Sequence, residues 1–242
     1  MAFTHLHVHS EYSLLDGMSR ISEAPEYVKS LGMDSLAITD HGVMFGIVDF
    51  YKSCKKAGIK PIIGCEVYVA ARTRFDKDPE RDRGMFHLIL LAENMTGYKN
   101  LTKIVSIGFT EGFYFKPRVD KEVLREHSEG IICLSACLAG AIPRKILGGD
   151  YSGAEAEAIE LQEIFGKDNF FLEIQNHFLD EDKAVTAVSY THLDVYKRQV
   201  LCIILLGISI MVRKDKPQIA THFIYFVLAV SCSCLLYTSR CV

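Results

Sequence analysis

The sequence predicts an α/β fold in which a parallel sheet closes into a barrel. Six apolar segments of strand length alternate with segments of helical pattern between residues 3 and 177. This alternation favours a parallel sheet, and near-continuous apolar strands indicate a sheet that is covered on both faces. Side chains that can bind metal recur near the strand ends, where barrels of this type carry their chemistry.

The elements follow one another in a regular order. Ser22, Thr96 and Asp120 are predicted to cap helices, and the charged stretch 71–84 is expected to be a solvated excursion. The predicted strands span residues 3–9, 35–39, 60–70, 86–94, 130–137 and 169–177, and the clearest predicted helices span 22–31, 44–57, 141–147 and 152–165.

The first predicted strand carries histidines at alternating positions, His5, His7 and His9, and Asp16 follows on the next turn. Period-two geometry places the three imidazoles on one face of a strand. Two imidazoles at i and i+2 can hold one metal ion. Because ligand-type residues recur near the ends of later strands, the sequence predicts a metal site.

Composition limits the kinds of partner and compartment. Residues 1–185 hold 28 acidic and 21 basic side chains, so bulk charge does not hold this body to nucleic acid, and any such contact must be local. Its four cysteines show no CxxC pair, and no signal peptide precedes the first strand. These features predict a reducing, cytoplasmic location.

The pattern changes at Thr186, where apolar runs at 200–212 and 219–237 flank a basic loop. Taken literally, these runs form a membrane hairpin, and the second is nearly long enough to span a bilayer. However, SYTHLDVYKRQ and CLLYTSRCV resemble translated sequencing-adapter junctions. We therefore expect residues 186–242 to be a non-native tail on a truncated or chimeric reading frame, with no membrane contact unless that tail is native.

The first 185 residues contain motifs in a characteristic order, namely HLHVHSEYSLLDG, AITDHG, GCEVYV, HLILLAEN, GFYFKPR and LSACLAG. In these motifs the chain resembles the PHP (polymerase and histidinol phosphatase) domain, in the form found at the amino terminus of bacterial DNA polymerase III alpha subunits. The resemblance implies a distorted (β/α)7 barrel, of which this chain would hold six βα units and lack the family's last Asp-x-His ligand pair.

The resemblance also implies a cluster of up to three divalent metal ions, of zinc, manganese or iron. Glu66 would bridge two ions, and Cys137 as thiolate would favour zinc. Matched motif by motif, the ligands would be His7, His9, Asp16, His41, Glu66, His87 and Cys137.

Further residues have weaker assignments. Asp40 is expected either to cap the helix after strand two or to hold the His41 ring in position without binding the metal itself. Glu173 and His177, in strand six, are second candidates for the site. Lys116 and Arg118 could contact a DNA backbone or belong to a solvated loop.

The implied activity is phosphodiester hydrolysis, such as 3′–5′ exonuclease proofreading. The implied parent is a replicative DNA-directed DNA polymerase, a nucleotidyltransferase that uses Mg²⁺ in a palm domain absent here, with DNA and other holoenzyme subunits as partners. Three alternatives remain: a free-standing phosphoesterase of the histidinol phosphatase kind, a structural barrel stabilised by metal, and a membrane-anchored metalloprotein.

Overall fold

One long strand, Lys60–Ala70, pairs with three other strands and sets the layout of the sheet. The computed structural model describes residues 3–189 and the backbone of residues 200–202. The strands of this part are β1 Ser35–Ile38, β2 Lys60–Ala70, β3 Met85–Ala92, β4 Arg118–Val119, β5 Ile131–Leu134, β6 Phe170–Ile174 and β7 Val200–Cys202. The helices are α1 Ala24–Ser30, α2 Ile47–Ala57, α3 Met95–Thr110, α4 Lys121–Glu126, α5 Ala141–Leu147, α6 Tyr151–Phe165 and α7 Asp180–Val188.

The sheet has the order β1-β2-β3-β5-β6-β7, and β4 pairs with β2 outside this path. β1 and β4 lie parallel to the start and the end of β2. β3 is antiparallel to both β2 and β5, whereas β5, β6 and β7 are parallel to one another. The fold is therefore α/β with a mixed sheet.

The expectation of an all-parallel sheet is wrong for β3. Parallel neighbours require a crossover connection, usually a helix, between them. The connection from β2 to β3, residues 71–84, contains no helix, and the chain reverses direction through it. This reversal brings the start of β3 beside the end of β2, where Tyr68 is paired with His87.

The predicted first strand, residues 3–9, is not a regular strand. It is an extended segment beside β1, because the Ala37 amide donates to the His5 carbonyl (2.9 Å) and the Thr39 amide to the Val8 carbonyl (2.8 Å). His5 lies edge-on to the ring of Phe3, with 4.9 Å between the ring centroids. The segment therefore extends the sheet edge without a full ladder.

Helix termini agree with the sequence in part. Asp120 caps α4, as predicted, by accepting a hydrogen bond from the Val123 amide (3.1 Å). α3 is capped by Asn94 rather than Thr96, since the Asn94 side chain accepts from the Gly97 amide (3.0 Å). Ser22 does not cap α1, which begins after Glu23 without a side-chain cap.

The two faces of the central strands carry different layers. The largest apolar cluster includes Val67, Leu88 and Leu90 on one face of β2 and β3, with residues of α3 to α7 packed against it. The opposite face carries a smaller cluster that includes Ile89 and Leu91. Glu66 is paired with Ile89, so its side chain lies on this second face and points away from the largest apolar cluster.

The predicted boundary at Val185 falls inside α7, which continues to Val188. Within the predicted tail, β7 pairs with β6 in parallel. The apolar run 219–237 and most of the run 200–212 lie outside the described residues, so the origin of the tail stays a prediction. None of the helices in the described part is long and apolar enough to cross a membrane.

The contact between α3 and the turn before β5 leaves no space for a side chain at Gly97. A Cβ atom there would lie 1.8 Å from the Gly130 carbonyl oxygen, which accepts the Glu93 amide. We expect Gly97→Ala to lower the free energy of unfolding by about 1–3 kcal/mol through overpacking, despite the better helix propensity of alanine. Urea unfolding measures this change.

The matched control for this variant is Gly84→Ala. An added Cβ at Gly84 meets no atom within 4 Å, so its effect is expected to stay within about 0.5 kcal/mol of zero. Equal stability of the two variants would contradict the close approach of α3 to Gly130.

Candidate metal centre

The carboxylate of Glu66 is the centre of a cluster of histidines. Glu66 is fully buried in β2. Its Oε2 lies 2.9 Å from His7 Nε2 and 3.9 Å from His9 Nε2. Its Oε1 lies 2.9 Å from His87 Nδ1 and is hydrogen-bonded to His41 Nδ1. The two oxygens thus face two different pairs of imidazoles.

These contacts form two groups that could each hold a metal ion, and both contain Glu66. The first group is His7, His9 and Glu66, and the second is His41, Glu66 and His87. Within each group the donor atoms lie within 4.8 Å of one another. A carboxylate shared in this way can bridge two cations, one on each oxygen.

Three segments bring the histidines to Glu66. His7 and His9 come from the extended segment beside β1. His41 follows β1 and forms an isolated parallel bridge with Glu66, whose amide donates to the Asp40 carbonyl (3.1 Å). His87 is opposite Tyr68, and in an antiparallel pair this makes it a diagonal neighbour of Glu66 on the same face.

Asp40 holds the loop that follows His9. Its Oδ1 accepts hydrogen bonds from the Ser10 amide (2.7 Å) and the Ser13 hydroxyl (2.7 Å), and its Oδ2 accepts from the Ser10 hydroxyl (2.8 Å). Ser13 Oγ in turn accepts from the His41 amide (3.2 Å). Asp40 therefore positions the segments that carry His9, Asp16 and His41, and it touches no ligand imidazole.

Glu173 and Gln175 hold the far side of the His7 ring. Glu173 Oε1 lies 2.7 Å from His7 Nδ1, and Gln175 Nε2 lies 3.1 Å from the same nitrogen. Gln175 also donates to Glu173 Oε1. A carboxylate on the second nitrogen of an imidazole fixes the ring and directs its other nitrogen at a metal.

The remaining candidates lie around the two groups. Asp16 Oδ2 is 3.0 Å from His41 Nε2 at the exposed side of the site, and Cys137 Sγ is 3.7 Å from His87 Nδ1. Both therefore contact the second group through one histidine each. His177 is placed elsewhere, with its amide donating to Asp182 (2.7 Å).

Burial and charge shift the pKa values of these groups in opposite directions. Burial lowers the pKa of His7, but the charges and hydrogen bonds of Glu173 and Glu66 outweigh it and raise the pKa to about 10. Burial and the neighbouring His7 lower the pKa of His9 to about 4. Burial raises the pKa of Glu66, but hydrogen bonds from His41, His7 and His87 hold it well below its usual range. Burial and Glu66 raise the pKa of the Cys137 thiol to about 12.

The donor set fits a divalent metal centre. Imidazole nitrogen and carboxylate oxygen are ligands for zinc, manganese and iron. Buried polar atoms normally have partners, yet His9 Nδ1 and Glu173 Oε2 have no hydrogen-bond partner among the residues that the structure describes. Because imidazole binds metal in its neutral form, protonation of these histidines would compete with metal binding.

The structure corrects the predicted DNA contact of Arg118. Arg118 is fully buried, and its guanidinium donates to the carbonyls of Gly112 (3.2 Å), Asp82 (3.0 Å) and Asp76 (2.8 Å). It therefore ties down the loop 71–84, which is not simply a solvated excursion. Lys116 remains partly exposed, with its Nζ 5.6 Å from the centre of the Tyr68 ring.

Two residues near the centre are not among the sequence candidates. Tyr68 lies 5.3 Å from His87 and 6.2 Å from His41 between ring centroids, and Gln175 contacts His7. Each is two positions beyond a glutamate of the centre, Glu66 or Glu173. Because residues two positions apart on a strand lie on the same face, the sequence could have indicated both residues as neighbours of these glutamates.

The sequence of this chain is similar to known proteins. Residues 5–177 match the PHP domain family. The DNA polymerase III subunit alpha of Treponema pallidum is 53% identical over 186 residues, which cover 76% of this chain and 16% of that protein. The Thermus aquaticus protein of the same name is 50% identical over 192 residues, or 78% of this chain and 16% of its own length.

The chain thus spans about one sixth of the length of these curated relatives. A solved structure of an amidohydrolase from Chromobacterium violaceum has a TM-score of 0.33 and 24% identity, covering 45% of this chain and 34% of that one. A TM-score this low supports no conclusion about function.

Because both groups share Glu66, we expect Glu66→Gln to remove metal from both, whereas His87→Gln affects only the second group. The measurement is the zinc content after loading and dialysis, by inductively coupled plasma mass spectrometry. Glu126→Gln, at an exposed position of α4, is the control and should retain the wild-type content. A Glu66→Gln protein with the wild-type metal content would contradict the shared carboxylate.

We expect Arg118→Met to destabilise the chain by about 1–3 kcal/mol, because several buried carbonyls lose their donor. The same change should expose the loop 71–84 to limited proteolysis. Urea unfolding and peptide mapping of the digest measure the two effects. Arg83→Met, at an exposed position of that loop, should change neither, and equal digestion of the two variants would contradict the structural role of Arg118.

Proposed function

Because this chain belongs to the PHP domain family, we propose that its His/Glu centre binds divalent metal ions and hydrolyses phosphodiester bonds. The chain is homologous to the PHP region at the amino terminus of DNA polymerase III alpha subunits. We propose 3′–5′ exonucleolytic cleavage of single-stranded DNA as the specific reaction. The observation that best supports this proposal is that each carboxylate oxygen of Glu66 faces a different pair of imidazoles.

When bound, a pair of metal ions would lower the pKa of a bound water to about 7 and would clamp phosphate oxygens. The residues of this chain prepare the site for that chemistry. Glu66 would supply one carboxylate oxygen to each pair of histidines. The low pKa of His9 leaves its imidazole neutral and ready to bind. Glu173 and Gln175 fix the ring of His7, and Asp40 fixes the loop that carries Asp16.

The donor set guides the choice of metal. His7, His9, His41 and His87 with Glu66 form a donor set that zinc, manganese or iron can each bind. Cys137 lies beside His87, and a thiolate ligand there would favour zinc. A metal ion would lower the pKa of this thiol, which burial raises. Asp16, Cys137 and the family's missing Asp-x-His pair would complete a centre of up to three ions.

The intact protein would be the alpha subunit of a bacterial replicative polymerase. In that protein, residues 1–185 would form most of a distorted (β/α)7 barrel in which β3 runs antiparallel to its neighbours, and a further unit would supply the Asp-x-His pair. The parent would act in the cytoplasm on DNA, with other holoenzyme subunits as partners and Mg²⁺ in a separate polymerase domain. Residues 186–242 would then be the non-native tail.

The test is digestion of a 5′-labelled single-stranded oligonucleotide by the full chain after loading with zinc, manganese or iron(II). We expect stepwise shortening from the 3′ end that stops on chelation. Glu66→Gln should reduce the rate by at least 100-fold, because both metal positions lose a ligand. Glu126→Gln, purified in the same way, controls for the effect of an exposed Glu→Gln change and should retain the wild-type rate.

The contrary outcome would be a metal-loaded chain that cleaves none of these substrates, while chelation lowers its melting temperature. That result would favour the alternative in which the metal only stabilises the domain. Cleavage that is equal in the wild type and Glu66→Gln would instead identify a contaminant.

A further inference from the structure

A loop of three aromatic residues and one lysine lies beside the candidate metal centre. We propose that this aromatic loop, residues 112–118, binds the single strand that enters the centre. In this arrangement Lys116 contacts a backbone phosphate, and the rings of Phe113 and Phe115 stack on bases. The inference rests on the proposed function, because it names how the substrate of that site is held.

The aromatic loop is held in one shape by its own contacts. The Tyr114 amide donates to the Lys116 carbonyl (3.1 Å), which closes a tight turn. The buried guanidinium of Arg118 lies 4.9 Å from the centre of the Tyr114 ring and also donates to the Gly112 carbonyl. These contacts fix the backbone at the two ends of the loop, while Phe113 and Phe115 at its tip are exposed and can contact a ligand.

The tip presents two aromatic rings to solvent. Phe113 is 50% exposed and Phe115 is 65% exposed. Phe115 also has a φ of 60°, in the left-handed region that bulky residues rarely adopt. Such strain persists where the surrounding structure imposes it, and it is common at ligand-binding sites. Exposed aromatic rings are the usual platform on which proteins stack the bases of single strands.

Lys116 connects the aromatic loop to the centre. Its Nζ lies 5.6 Å from the centre of the Tyr68 ring, and Tyr68 lies against both His41 and His87. One aromatic ring thus separates the ammonium from the histidines of the second group. Pro117 lies close to Gly42, next to His41, since a Cβ added to Gly42 would lie 3.0 Å from Pro117 Cγ.

The charge of Lys116 is uncompensated in the part of the chain that the structure describes. Nearby cations are paired, as Arg72 is with Asp82 and Arg74 with Asp120. No carboxylate of residues 3–189 lies within salt-bridge distance of Lys116. In an otherwise acidic body, an ammonium that has no carboxylate partner among the described residues lies over the Tyr68 ring, on the same loop as two exposed aromatic rings. This combination fits an anion that carries aromatic groups. A single-stranded nucleic acid has this chemistry.

The experiment measures binding apart from cleavage. A 3′-fluorescein-labelled oligothymidylate is titrated with the full chain in EDTA, which prevents hydrolysis, and fluorescence anisotropy gives Kd at several salt concentrations. Lys116→Gln should weaken binding severalfold and reduce the slope of log K against log salt by about 0.7, the value for one phosphate contact on a single strand.

Phe115→Gly removes a ring and relieves the left-handed backbone, so the fold should remain intact. It should weaken binding roughly tenfold, and an abasic oligonucleotide should remove this difference from the wild type. The charge control is Lys99→Gln, at an exposed position of α3 that follows the far end of β3 from His87. It should bind as the wild type does.

The inference is overturned if the wild type shows no saturable binding, or if Lys116→Gln and Phe115→Gly both bind as tightly as the wild type. In the second case the loop makes no contribution to binding the strand. Cleavage that continues normally in these variants would leave the proposed hydrolysis standing. Loop-dependent binding by a chain that does not cleave would instead support the inference and contradict the hydrolysis.

Discussion

The buried carboxylate of Glu66 is the constraint on which the rest of the site depends. An ionised carboxylate without partners in a protein interior costs several kcal/mol, and Glu66 has four imidazoles around it. These imidazoles come from three separate segments of the chain. The same charge therefore accounts for both the local order of the centre and the way these segments meet.

The sequence was a good guide to which elements exist and a poor guide to their direction. Apolar runs predicted β1, β2, β3, β5 and β6, and Asp120 marked the start of a helix that the structure contains. Nothing in the pattern of β3 shows that it runs antiparallel to β2. That direction follows from a connection whose conformation is set by tertiary contacts, among them the buried Arg118.

For the candidate site, too, the sequence predicted some features and not others. Alternating spacing selected His7 and His9, and the resemblance of the motifs to the PHP family selected His41 and His87. The structure brings all four to Glu66. Spacing and motifs could not show that the two carboxylate oxygens of Glu66 face different pairs of histidines, because this depends on distances between segments far apart in the chain. Arg118 is the clearest failure, since an arginine in a basic, aromatic stretch has the same sequence signature whether it is buried or exposed. Only the carbonyls around it reveal its role.

The pairing of β2 has a consequence for how this protein can vary. Along one edge of β2 lie β1, then His41 opposite Glu66, and then β4 opposite Tyr68 and Val69. A single inserted residue in β2 would move later side chains to the opposite face, and it would displace the aromatic loop and the metal centre relative to each other. The interior of β2 therefore sets the distance between the aromatic loop and the metal centre. Insertions and deletions in the chain are better accommodated in the connections outside β2.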